Sequence, residues 1–465
     1  MYVPLRIADE RSEPKRTRDE GRTGDRLNRE GAEIKKDGRM RLIEQILSTS
    51  NVKIALERVV SNKGAAGIDG MRVDELRDYM NANWRSIRQS ILERAYKPAP
   101  VRRVEIPKPN GGVRKLGIPT VVDRTLQQAI VQVLSPIFEQ EFQENSYGFR
   151  PCRSCEQAVL KLLEYLNEGY EWIVDIDLEK FFDNVPQDKL MSYVGRVIRD
   201  PDTESLIRKY LKSGVMENGL YQATDQGTPQ GGNLSPLLSN VMLNELDKEL
   251  VKRGLRYVRY ADDCVIAVAS KASANRVMHT IAEWIERHLG LKVNASKTHV
   301  CRPSKLKYLG FGFYKNPQTK RWSSRPHESS IEKFKLKLKK LCKRSWSISM
   351  TERIKLLNYT TRGWVNYFSI ADMKGRLEEI DAHVRTMLRK VIWKQWKTPK
   401  KRAWGLRKLN IDNKLARVTS HCGARYEWVV RRTCVARAIS KDILTKRGLV
   451  SCLDYYLIRH SLKTN

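Results

Sequence analysis

Two adjacent aspartates close the run Tyr260-Ala261-Asp262-Asp263, which lies between two short apolar stretches, Leu255 to Val258 and Cys264 to Ala269. That flanking pattern predicts a β-hairpin with the carboxylates at its tip. Like charges this close repel and raise each other's pKa unless a cation neutralises them, so the pair reads as a ligand for Mg2+. A polar hairpin turn is the plain alternative, since Asp is common in turns.

A second acidic cluster lies upstream, in Trp172-Ile173-Val174-Asp175-Ile176-Asp177-Leu178-Glu179-Lys180-Phe181-Phe182-Asp183. Asp175 and Asp177 share one face at strand period, so the stretch reads as a buried strand whose acidic end emerges where a helix or turn begins. Asp177 can then meet Asp262 across neighbouring strands. Three carboxylates from two segments can hold two divalent metals, one activating an attacking hydroxyl and the other stabilising a departing pyrophosphate. This is the chemistry of nucleotide polymerisation. An acidic helix N-terminus, with Asp177 and Glu179 favoured by the helix dipole, is the competing reading of the same residues.

The remainder of the chain must position these groups. It has 465 residues and a formal net charge of +34, long enough for several domains and basic enough to bind polyanions. From Lys320 onward, 36 Lys and Arg stand against 11 Asp and Glu, so +25 of that charge sits in the last third. A carboxylate-lined site followed by a basic region suits an enzyme acting on a long phosphate backbone. No run approaches the roughly 18 apolar residues of a membrane span, and the start lacks a signal-peptide pattern, so a soluble intracellular protein with no membrane partner is expected. Of the eight cysteines only Cys152 and Cys155 form a CxxC pair. With no second pair at finger spacing, the cysteines read as structural or reduced thiols.

Residues 1 to about 38 are almost free of large apolar side chains and mix bases with acids, a composition that predicts a disordered tail. From Met40 amphipathic helices follow, with Leu42, Ile43, Ile46, Leu47, then Val52, Ala55, Leu56 and Val59 at helical spacing. The glycine-rich loop Lys63 to Gly70 interrupts them. Val104, Ile106 and Leu116, Ile118 flank Pro109-Asn110-Gly111-Gly112, a hairpin signal that sets Lys108 and Arg114 on or beside a basic hairpin. Such a hairpin could clamp a triphosphate, Arg as a planar fork and Lys as a point charge, or could be a solvated basic face. Gln226 to Pro236 is glycine-rich and precedes a helix carrying Leu237, Leu238, Val241, Leu243 and Leu246, an arrangement that lets backbone approach a ligand. Beyond Lys320 the chain reads as helices, with Ile331, Phe334, Leu338 and Leu341 on an apolar stripe and five lysines between 333 and 340 on other faces.

Taken in order, these segments resemble the group II intron reverse transcriptases, or maturases, over nearly the whole chain from about Met40. The motifs that carry the resemblance are Ile106-Pro107-Lys108-Pro109 through Leu116-Gly117-Ile118-Pro119, Ser146-Tyr147-Gly148-Phe149-Arg150-Pro151, Asp177 through Asp183, Gly227-Thr228-Pro229-Gln230-Gly231-Gly232, and Tyr260 through Asp263. All five occur in family order.

The resemblance implies an α+β right-hand polymerase, with fingers and an antiparallel-sheet palm at residues 39–320, a helical thumb (the maturase domain) at 321–397, and a small helical DNA-binding region at 398–465. It implies Asp177, Asp262 and Asp263 as catalytic carboxylates holding two Mg2+ ions, with Mn2+ as a substitute. Lys108 and Arg114 would hold the deoxynucleotide triphosphate, Gln230 would sit at the nucleotide, and Phe182 would be the steric gate against a ribose 2′-hydroxyl. Lys297 would stand near the phosphates, and Tyr308-Leu309-Gly310-Phe311 would grip the primer. The loop at 63–70 resembles an N-terminal insertion that touches the template. Many family members end in an endonuclease domain; the absence of its Cys pairs and His-Asn-His residues here resembles the bacterial class C members.

The function so implied is RNA-directed DNA polymerisation, with intron RNA bound to assist its splicing and then copied into cDNA during retrohoming. The implied partners are intron RNA, an RNA template with a DNA or RNA primer, target DNA and deoxynucleotides, in a cytoplasmic bacterial ribonucleoprotein; the oligomeric state is open. A splicing cofactor acting mainly by binding RNA, or a host-defence or CRISPR-linked reverse transcriptase, are the alternatives.

Overall fold

The computed structural model describes residues 40–107, 111–217, 219–228 and 231–464. Lys108 and Gln230 lie outside these residues, as do Pro109, Asn110, Pro229 and the N-terminal stretch expected to be disordered.

The N-terminal helices Thr49–Ser61 and Leu76–Leu92 follow the apolar spacing of the sequence, and Val52, Ala55, Val59, Leu76 and Met80 are buried on them. Ser48 caps the first of these, its hydroxyl accepting from the Asn51 amide at 3.4 Å. Both helices pack on the long helix Val121–Glu139. Between them the 63–70 loop is pinned to the next segment, because the Arg102 guanidinium donates to the Ala66 carbonyl at 2.8 Å. Gly67 lies so close to Thr120 that a Cβ would stand 2.6 Å from its Cα.

Among the described residues, eleven strands form three sheets. In the first, β1 (Val101–Pro107) and β2 (Val113–Ile118) are the antiparallel hairpin the sequence predicts, in register from Arg102↔Ile118 to Pro107↔Val113. The second sheet takes β3 (Trp172–Ile176) as a central strand. Two further short strands, β4 (Val215–Glu217) and β5 (Leu220–Gln222), extend the first sheet, with β4 running parallel to β1. The second sheet is completed by β6 (Arg256–Tyr260), β7 (Asp263–Val268) and β8 (His299–Cys301), in the order β6-β7-β3-β8, all antiparallel.

This second sheet is covered on both faces. Along β3 and β7, Val174, Ile176, Cys264, Ile266 and Val268 feed one core with the N-terminal helices and the helix Ser235–Lys252. The alternate residues Ile173, Val265 and Ala267 feed the other, shared with the helix Cys155–Asn167 and the C-terminal helices. Burial on both faces explains why β3 and β7 read as nearly continuous apolar runs.

The third sheet corrects the expectation that the chain is helical beyond Lys320. Strands β9 (Lys307–Tyr308), β10 (Phe311–Lys315) and β11 (Trp322–Pro326) form an antiparallel meander, and the helices begin at Glu328. The turn between β10 and β11 is fixed by Asn316, whose side-chain oxygen accepts from the Gln318 amide at 2.9 Å, and by Lys320 at φ +57°. Five residues pairing with a strand behind them carry too little periodicity to be separated from a helix entry.

Beyond Glu328, Ile331, Phe334 and Leu338 form the buried stripe as expected. Trp393 is fully buried and donates from its indole nitrogen to the Gly423 carbonyl at 3.0 Å, so it belongs to the core. The last helix, Cys452–Thr464, is held to the long helix Lys374–Gln395 by one buried carboxylate. Asp381 accepts from the Ser451 hydroxyl at 2.7 Å and from the Cys452 and Leu453 amides at 2.8 and 3.1 Å. Asp381→Ala leaves these donors at the helix start unpaired, a loss of roughly 1–3 kcal/mol. A melting curve of this variant is expected to fall below that of the parent; an unshifted curve contradicts the assignment. Among the described residues no helix is long and apolar enough to cross a membrane, and every cysteine is a free thiol.

Candidate active site

The hairpin of β6 and β7 closes with Tyr260 opposite Asp263, leaving Ala261 and Asp262 as a two-residue turn. Ala261 has φ +57°, the left-handed conformation that a residue with a Cβ adopts only where its surroundings enforce it. The segment Asn145–Gly148 provides part of that enforcement. The Arg259 amide donates to the Asn145 carbonyl at 2.9 Å and the Tyr147 amide to the Arg259 carbonyl at 2.8 Å. Gly148 then lies against the turn itself, where a Cβ would stand 2.2 Å from the Ala261 nitrogen. The Ser146–Pro151 motif is thus a buttress behind the hairpin, locked by buried Arg150 through Glu139 at 2.6 Å and the Ser146 carbonyl at 2.9 Å.

Strand β3 runs beside β7 with Ile176 opposite Cys264 and Asp175 opposite Val265. One step further, Asp177 leaves the strand level with Asp263, and by strand alternation Asp175, Asp177 and Asp263 share a face. The carboxylates feel one another. Burial pushes Asp263 up to about 7, aided by Asp262, Asp175 and Asp177 and opposed by Lys297, although the side chain keeps a solvent-facing edge. Asp175 is raised to about 6, mainly by burial, with Asp177 adding and His299 opposing. Asp262 is raised by burial, with Arg114 and Arg259 opposing and Asp177 adding.

Lys297 approaches this cluster from the loop before β8, its ammonium 3.2 Å from the Asp177 carboxylate. Its loop is fixed by the Asn294 amide, which donates to the Asp177 carbonyl at 2.8 Å, and by the Asp177 amide, which donates to the Thr298 hydroxyl at 3.1 Å.

The fit to a divalent cation is partial. An all-oxygen donor set suits a hard cation, and the register brings the three predicted aspartates to one end of the sheet. Among the described residues, however, no three Asp, Glu, His or Cys side chains converge closely enough to hold an ion as they stand. Asp177 instead makes an ion pair with Lys297.

Gly227 lies against the turn that carries Phe182, and Gly231 against the β1–β2 hairpin. The Thr228 amide donates to the Phe182 carbonyl at 2.7 Å and the Gly227 amide to the Val185 carbonyl at 2.8 Å. Gly227 sits at φ +86°, where a Cβ would come within 2.7 Å of the Phe182 oxygen. Gly231, at φ +121°, leaves only 2.4 Å between such a Cβ and the Gly117 carbonyl of β2. Both glycines therefore permit backbone to lie on backbone. Phe182 is half-buried, its ring edge-on to Phe181 at 5.2 Å. Arg114 stands on β2, and its charge reaches Asp262. The turn Tyr308–Phe311 has Leu309 at φ +49° and Gly310 at φ +83°, and the Tyr367 hydroxyl from the helix Met350–Tyr367 donates to the Leu309 carbonyl at 2.9 Å.

The carboxylate shifts set a pH dependence. A raised carboxylate holds its proton more tightly in the folded state, so its contribution to stability is present below the unfolded value and lost as pH rises through the folded one. Metal-free protein should lose this contribution between about pH 4 and about 7, the window set by Asp175 and Asp263. Added Mg2+ should raise the melting temperature more at pH 8 than at pH 5, because only ionised carboxylates bind it. Equal shifts at both pH values, in a thermal melt with and without chelator, contradict this.

Arg259, Asp247, Asn240 and Thr298 were not singled out from the sequence. The available signal was an arginine set inside the apolar strand Tyr257-Val258-Arg259-Tyr260, where a buried cation needs a partner.

Residues 106–313 match the family model described as reverse transcriptase (RNA-dependent DNA polymerase), and residues 331–410 match the model described as group II intron, maturase-specific domain. The chain is similar to protein YkfC of Escherichia coli (strain K12), 34% identical over 300 residues, or 56% of this chain and 79% of that protein. It is also similar to the group II intron-encoded protein LtrA of Lactococcus lactis subsp. cremoris, 39% identical over 220 residues, but that match spans 47% of this chain and only 36% of LtrA. Among solved structures, a partial Cas6-RT-Cas1--Cas2 complex contains a chain 22% identical over 56% of this one with a TM-score of 0.35, a likeness too slight to bear on fold or function.

Proposed function

The chain belongs to the group II intron reverse transcriptase and maturase family, and we propose that it copies its intron RNA into DNA at the tip of β6–β7, and assists the splicing of that RNA. The observation that carries this reading is the cluster of coupled carboxylates at the end of one sheet, with Lys297 and Arg114 opposing their charge from separate elements. A divalent-metal requirement follows from the polymerase domain; Mg2+ at Asp177, Asp262 and Asp263 is the form proposed. Bound there, the cations would lower the pKa of the primer 3′-hydroxyl and neutralise charge on the departing pyrophosphate.

The protein's own groups do the rest. Asp177 would hold a cation in place of its ion pair with Lys297, whose ammonium would then face the nucleotide phosphates. Arg114, with Lys108, holds the triphosphate as a planar fork beside a point charge. Gln230 is assigned to nucleotide contact on the family motif alone. Gly227 lets the backbone at 227–228 bond to the turn of Phe182. Phe182 excludes a ribose 2′-hydroxyl. Exposed Lys333, Lys337, Lys339 and Lys340 on the helix Glu328–Leu341 provide cations that track an RNA backbone. Residues 398–465, rich in bases, would contact target DNA. A cytoplasmic ribonucleoprotein is the proposed setting.

The reading is tested by primer extension on an RNA template with separate deoxynucleotide and ribonucleotide pools. Extension is expected with deoxynucleotides only; extension with neither pool refutes it. Phe182→Ala is expected to relax the choice by roughly 10–200-fold, the span of one lost packing group in a substrate pocket. Undiminished discrimination by that variant removes Phe182 from its role. A splicing assay separates the second activity, since a variant lacking the carboxylates should still assist splicing by binding.

A further inference from the structure

We propose that Arg259 and Asp247 are positioning residues of the polymerase site, a buried ion pair that fixes the Ala261–Asp262 peptide and so aims the two tip carboxylates. The inference rests on the polymerase reading above.

The pair is built into the interior. Arg259 is 1% exposed and Asp247 0%. Asp247 comes from the helix Ser235–Lys252 and receives a bidentate fork, Nε to Oδ1 at 2.8 Å and Nη2 to Oδ2 at 2.5 Å. The third guanidinium nitrogen, Nη1, turns the other way. It donates to the Ala261 carbonyl at 2.8 Å and to the Asn240 side-chain oxygen at 3.1 Å. Asn240 in turn donates to the Gly148 carbonyl at 2.8 Å. One planar cation therefore ties the helix to the hairpin tip, and Asn240 ties the same helix to the buttress behind it.

Two features argue that the pair serves geometry rather than stability. A buried ion pair is a poor source of net stability, because desolvation offsets the attraction, and apolar residues of similar volume often replace such a pair without loss. The bond to Ala261 also falls on the residue whose backbone is left-handed without being glycine. Such a conformation persists only where its surroundings over-determine it, and the Arg259 bond is aimed at the peptide that immediately precedes Asp262. A lysine cannot reproduce the arrangement: its single ammonium cannot fork onto Asp247 and also reach Ala261.

The test compares wild type, Arg259→Lys, and the double variant Arg259→Met with Asp247→Leu in single-nucleotide primer extension, with thermal melting and template–primer binding measured alongside. Wild-type extension must be present; its failure counts against the polymerase reading, not against the clamp. The double variant is expected to melt near the wild type and to bind template–primer normally, with KM for the nucleotide within about twofold and kcat lower by roughly 100-fold, the scale of a 1 Å misplacement. If the double variant does not fold, Arg259→Lys, assayed well below its melting temperature, is expected to show the same split of kcat from KM. Wild-type kcat in whichever of the two is folded overturns the proposal.

Discussion

Asp262→Ala combined with Asp263→Ala abolishes primer extension on an RNA template while leaving RNA binding and the melting temperature intact. The loss follows from removing two of the three proposed ligands. Metal stabilisation of developing charge is worth several kcal/mol, so the rate should fall by roughly 10^3-fold or more. The retained stability follows from electrostatics. Burial and neighbouring carboxylates raise both, so removing their charge is expected to cost the fold little. Retained stability with lost activity separates a site built for a ligand from one built for folding. Full-length synthesis by the double variant sinks the assignment; a large drop in melting temperature shows that the pair is structural.

Gly148→Ala is the second variant with a large expected effect. The added Cβ would stand 2.2 Å from the Ala261 nitrogen, 2.9 Å from the Tyr260 carbonyl carbon and 3.0 Å from the Ala261 Cα. All three are backbone atoms, so no side chain can swing aside. Either the Ser146–Pro151 buttress or the hairpin tip must move, at about 1–3 kcal/mol for overpacking. A 1 Å shift of the tip lowers turnover by roughly 100-fold. Gly363→Ala is the control, because Gly363 lies in the helix Met350–Tyr367 with nothing within 4 Å of its added Cβ. That change should raise stability by roughly 0.5–1 kcal/mol and leave extension unaltered. Equal activity for the two variants contradicts the buttress.

Much of this site was legible because its parts are local. Two apolar stretches around a short acidic turn define the β6–β7 hairpin, and Pro109 to Gly112 punctuates β1 and β2 without help from distant residues. The acidic end of β3 follows from strand period alone. Other features depend on residues far apart in the chain and left no such mark. Strands β4 and β5 are three residues each and are recognisable only by their place beside β1. Strand β11 is defined by its pairing with β10, which is why helix was expected there. Arg259 finds Asp247 twelve residues earlier on another element, and no periodicity links a strand to the helix it packs on. The roles of Lys297 and Phe182 came from resemblance; the contact of Lys297 with Asp177 came only from the fold. Lys108 and Gln230 lie outside the described residues.

In the proposed reaction Asp177, Asp262 and Asp263 together would hold divalent cations over the primer end. Anomalous scattering from crystals of the protein with an RNA template, a chain-terminated DNA primer, a deoxynucleotide and Mn2+ tests it directly. Manganese peaks are expected within coordination distance of oxygens of all three carboxylates, with the Asp177 to Lys297 contact opened. A ternary complex whose manganese lies elsewhere, or in which Asp177 stays bound to Lys297, would contradict it.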